Sequence, residues 1–107
     1  MEGERVRVRL SGGLENTATW VILRADGGVT VEWYDYSEDA HRWFGNDVAH
    51  LVHVSANDTP RLCALLGAAD AGALPAAMQA RFADYFAAKR WLDEQAIPYE
   101  QEYDSWA

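Results

Sequence analysis

Polar and apolar residues alternate at the start of the chain, where Arg5, Arg7 and Arg9 interleave with Val6, Val8 and Leu10. A period of two sends successive side chains to opposite faces, so residues 5–10 predict a strand with one wet face. Ser11-Gly12-Gly13 ends it. Trp20, Val21, Ile22 and Leu23 are then apolar in succession, which predicts a central strand over 18–24. Asp26-Gly27-Gly28 supplies the positive φ of a tight turn, and residues 29–36 return as a third strand. Val29, Val31 and Trp33 share one of its faces; Thr30, Glu32, Tyr34 and Tyr36 share the other.

Ser37 predicts the cap of a short helix over 38–44, with Glu38 and Asp39 in its first turn and Ala40, Trp43 and Phe44 inward. Gly45-Asn46-Asp47 stops it, and 48–55 reads as a fourth strand. Thr59 at the cap and Pro60 at the first helical position start a helix carrying Leu62, Leu65 and Leu66, which Gly67 ends. Residues 68–76 read as a loop or a weak helical turn, and 76–95 as one longer helix. On one continuous helix Met78, Phe82, Tyr85, Phe86, Leu92 and Ala96 face the core. Trp91 falls on the opposite side with Ala80, Ala83 and Ala87, which predicts an exposed indole for a partner to grip. Pro98 halts the helix, and alternation over 99–103 predicts a last strand.

The order β-β-β-α-β-α-α-β predicts an α+β fold in one domain over 1–107. Its mainly antiparallel sheet has about five strands, with helices packed on one face. Arg5, Arg7 and Arg9 complement Glu100, Glu102 and Asp104, so the first and last strands are expected to be neighbours.

Charge narrows the partners. The chain has 17 acidic residues against 9 basic ones, a formal net charge of −8, and Lys89 as its one lysine. Binding a polyanion requires clustered cations that release counterions. Nucleic acid and anionic membranes are therefore excluded, and a basic or mixed-charge protein partner is favoured. The first residues lack the apolar stretch of a signal peptide, and no run approaches the ~20 apolar residues of a spanning helix. A lone cysteine, Cys63, cannot close a disulfide within the chain, which points to a reducing cytoplasm.

Few chemical motifs are present. No phosphate-binding loop, dinucleotide turn or Cys-x2-Cys pair occurs, so no cofactor is implied. His50 and His53 lie three apart on a strand and so point to opposite faces. His41 and His50 with Asp47 are weak metal candidates. Cys63 sits among apolar neighbours that raise a thiol pKa, and reads as core filler. The strongest surface signal is aromatic: Trp33, Tyr34, Asp35 and Tyr36, joined by Trp43 and Phe44, and at the C-terminal end Tyr99, Tyr103 and Trp106. Aromatic anchors rimmed by charge typify protein-binding surfaces.

Phe44-Gly45-Asn46-Asp47, Trp91-Leu92-Asp93-Glu94 and Ile97-Pro98-Tyr99-Glu100 together resemble a family of small acidic bacterial α+β proteins with no assigned activity. Members carry a Phe-Gly-acid turn and a final Gly-Ile-Pro-Tyr-Glu strand ending near a Ser-Trp pair. Here Ala96 stands in place of that glycine, and Asp104-Ser105-Trp106 matches the end. The likeness spans residues 30–106 and implies a fold but no catalytic residues. The favoured expectation is a non-enzymatic interaction domain, immunity-like in size and charge. The alternatives are a homo-oligomeric accessory domain, with a dimer as the simplest form, or a small-ligand binder or enzyme built on a His/carboxylate pocket.

Overall fold

The computed structural model describes residues 4–12, 16–36 and 48–105. Five strands form one antiparallel sheet in sequence order: β1 (Glu4–Arg9), β2 (Thr17–Arg24), β3 (Val29–Asp35), β4 (Val48–Val54) and β5 (Glu100–Ser105). Between β4 and β5 come α1 (Thr59–Leu66), α2 (Leu74–Arg81) and α3 (Tyr85–Glu94). Short 3-10 turns at Ala56–Asp58 and Ala71–Ala73 lead into the first two. The α+β class holds, and the described elements run β-β-β-β-α-α-α-β. The helix expected over 38–44 lies outside the described residues.

Register explains the core. Val21, Val31 and Val52 sit opposite one another across three strands, as do Leu23, Val29 and Val54. These rows line one face, where Leu62, Leu74, Met78, Leu92 and Ile97 complete the buried cluster. Burying one such side chain contributes roughly 1.5–3 kcal/mol. Helix α2 lies across β1 and β2, and α3 across β3. No single helix among the described residues is long and apolar enough to cross a membrane.

Three expectations are corrected. First, the helix over 76–95 is two helices. Phe82 is extended (φ −117°, ψ 135°), and Asp84 restarts the helix by accepting the Ala87 N–H at 2.9 Å. Tertiary donors and acceptors absorb the break: Gly12 N–H donates to Ala83 O (2.7 Å), and Tyr85 N–H donates to Thr19 Oγ1 (3.2 Å). A side chain at position 12 would meet Ala83 O at 2.7 Å, so only glycine allows this approach. The restart turns the phase of α3. Tyr85, Ala88, Trp91 and Leu92 become its buried stripe, and Phe86 is turned outward. Trp91 is therefore core, not surface.

Second, β1 and β5 are the two opposite edges of the sheet and do not meet. The arginines of β1 find partners closer by: Arg7 and Arg9 stack over Trp20, 5.0 and 5.9 Å from its ring centre, and Arg7 also approaches Glu32 at 3.8 Å. Third, Thr59 lies inside α1 rather than capping it. Its buried hydroxyl donates to Gly27 O (2.7 Å) and ties the helix to the β2–β3 turn, where Gly27 takes φ 92°. Gly67 ends α1 in the left-handed region (φ 72°), as its sequence position predicts.

Candidate functional site

Cross-strand pairing builds an aromatic row on the helix-bearing face. Trp33 on β3 sits opposite His50 on β4, which sits opposite Tyr103 on β5. Their rings touch in sequence: Trp33 stacks on His50 (5.1 Å between centroids, 30°), and His50 meets Tyr103 edge-on (5.0 Å, 61°). From α3, Phe86 packs edge-on to Trp33 (5.2 Å), and Tyr85 lies behind it (6.2 Å). Two rings of the row are exposed, Phe86 at 48% and Tyr103 at 51%. Between them Trp33 and His50 are half-buried, and the Trp33 Nε1 atom is buried with no hydrogen-bond partner among the described residues.

Burial pushes the His50 pKa below its ordinary value of 6.5, and the Asp35 carboxylate opposes that in part. The ring is thus biased toward its neutral form, which suits stacking on the Trp33 face.

The residues expected to act together divide between faces. Trp33 and Asp35 belong to the aromatic row's face, whereas Tyr34 lies on the other side of β3 and contacts Tyr36 at 6.0 Å. Trp91 belongs to the core, against Phe82 at 5.3 Å. His41, Asp47 and Trp106 lie outside the described residues. Among the described residues no group of His, Cys, Asp or Glu gathers to hold a metal ion. Cys63 is half-buried in α1, with its thiol pKa raised by burial and then by Asp70.

A second polar constellation sits on the opposite face. Glu102 Oε1 lies 2.7 Å from His53 Nε2, and His53 Nδ1 lies 2.8 Å from Thr30 Oγ1. A carboxylate can only accept, so His53 Nε2 donates to Glu102, and Nδ1 shares the second hydrogen bond with the Thr30 hydroxyl. Arg24 Nη1 donates to the same Thr30 oxygen (2.9 Å) and to Val29 O (3.0 Å), while Nη2 donates to Val54 O (2.9 Å). The acid–histidine–hydroxyl order is that of a nucleophile activated by a base. Its reactive end is closed, however: Thr30 is 3% exposed and its oxygen is held by Arg24. The chain is a brace across strands β3, β4 and β5.

Beside that brace opens a cleft of about 550 Å³, lined by Arg24, Asp26, His53, Ser55 and Tyr99 among others. Several of its polar side chains are engaged within the protein. Asp26 accepts from Gly28 N–H (2.8 Å), Ser55 accepts from Asn57 N–H (3.1 Å), and Tyr99 donates to Asp93 (2.6 Å).

Sequence reasoning missed Phe86, Thr30, Glu102 and Arg24 as members of these groups. For Phe86 a signal was available: Asp84 three residues before Ala87 is a helix-start pattern inside an apparently continuous helix. The others depend on strand register, which no local pattern encodes. Comparison with family models, curated proteins and solved structures finds no match to this chain.

Proposed function

We propose that this chain is a non-enzymatic protein-interaction domain that binds a basic protein partner through the row Phe86, Trp33, His50 and Tyr103. The observation that carries this reading is the unbroken line of ring contacts at 5.0–5.2 Å, two of whose rings, Phe86 and Tyr103, are half-exposed. Aromatic side chains give large contact area for little entropy and are enriched among binding hot spots. The formal charge of −8 favours encounter with a cationic surface. An immunity-like role, masking a basic toxin in a reducing cytoplasm, is one function of this kind. The acid–histidine–hydroxyl group presents no free nucleophile, because Thr30 is buried and its oxygen is held by Arg24.

The test is a partner isolated with the purified protein and then challenged with Phe86→Ala and Tyr103→Ala. Loss of that partner with an unchanged melting temperature supports the reading. Full retention by the double variant, or a wild-type protein whose patch is closed by self-association in light scattering, overturns it.

A further inference from the structure

The two edges of the sheet are built differently. An edge strand exposes unpaired main-chain N–H and C=O groups, and proteins guard such edges with bulges, charges or covering side chains. Edge β1 carries two guards: its register shifts between Glu4 and Val6, and Gln79 Nε2 donates to Arg9 O (2.9 Å), occupying a main-chain acceptor there. Edge β5 runs in unbroken register against β4, from Val48–Ser105 to His53–Glu100. Among the described residues its guard is the charge of Glu100 and Glu102. Glu100 and Glu102 share the face of His53, while Gln101 and Tyr103 share the face of the aromatic row. Acidic side chains repel a second copy of β5 but attract a cationic strand.

We infer that a basic partner adds an extended segment to β5 as a sixth strand. This deepens the proposed function and rests on it. The recognised segment alternates basic and apolar residues. Because side chains alternate along a strand, its basic residues fall beside Glu100 and Glu102, and its apolar residues continue the row Trp33, His50, Tyr103. Main-chain bonds to the β5 edge supply affinity, and the two faces supply selectivity. Copies of β5 do not pair with each other, since glutamates would lie beside glutamates.

The experiment uses the isotope-labelled full chain and a capped peptide, as long as β5, in which lysine and valine alternate. The controls are the same composition in two blocks and an alternating peptide N-methylated along one edge. Binding of the alternating peptide that slows amide exchange in residues 100–105 is the expected result. N-methylation abolishes it, and Glu100→Lys weakens it roughly tenfold. Glu100 is exposed, so the variant's fold is checked by its melting temperature; Glu100→Gln, which removes charge without reversing it, gives the same direction at smaller size. Equal binding of block and N-methylated peptides, with shifts at the Trp33 indole and Phe86 but no protection of β5, overturns strand addition while leaving the aromatic reading standing. No binding by any peptide, or a wild-type oligomer whose β5 amides are protected without peptide, also overturns it.

Discussion

Trp91 packs its indole against the Phe82 ring at 5.3 Å between centroids, across the break that separates α2 from α3. Phe82 is the residue whose extended backbone ends one helix, and Trp91 belongs to the buried stripe of the next. The contact fills the elbow between them. Trp91→Ala is expected to cost about 3–5 kcal/mol in urea unfolding, as for other large aromatic truncations in a core. Acrylamide should quench a variant retaining only Trp91 far less than free tryptophan.

Ala96 holds φ 56° at the end of α3, where Ile97 N–H donates to Leu92 O (3.0 Å). This is a left-handed helix stop, and a Cβ costs roughly 1–2 kcal/mol there. Ala96→Gly should therefore stabilise the fold by about 1 kcal/mol, offset in part by the greater freedom of glycine in the unfolded chain. A rise in the urea midpoint at constant slope checks this.

His50 titrates below 6.5 because its partial burial disfavours the charged ring more than Asp35 favours it. Between the folded and unfolded values the unfolded chain binds the proton and the folded one does not. The contribution of His50 to stability is complete above pH 6.5 and is lost as pH falls through its folded pKa. His50→Phe, which keeps a ring between Trp33 and Tyr103, should flatten this part of the pH–stability profile. Ring-proton chemical shifts followed with pH give the midpoint directly.

Tyr99 donates to Asp93 at 2.6 Å, and that hydrogen bond, with lesser help from desolvation, pushes its phenol up to about 12 from 10.0. The folded state keeps this proton while the unfolded chain releases it. The bond's contribution is therefore full below pH 10 and lost as pH rises through about 12. In an ultraviolet difference titration one tyrosine should ionise late, and Tyr99→Phe should remove that step. Tyr85 also titrates above 10.0, through burial alone, so its own Phe variant separates the two.

Strand positions were legible in the sequence because period-two alternation and the Asp26-Gly27 turn are local properties of the chain. So were the ends of α1, since Pro60 and Gly67 act within one helical turn. The opposite faces of His50 and His53 followed from strand geometry alone. What only the tertiary structure decided is what lies beside what. The break at 82–84 forms because Gly12 and Thr19, distant in sequence, bond the main-chain groups it exposes. That break turns Trp91 inward and Phe86 outward, which reverses the reading of both. Charge complementarity between β1 and β5 was real in sequence, yet four strand pairings in sequence order leave those strands at opposite edges. Pairing energy depends on register across strands, and register is set by the packed face as a whole. The row Trp33, His50, Tyr103 exists only once β3, β4 and β5 are aligned.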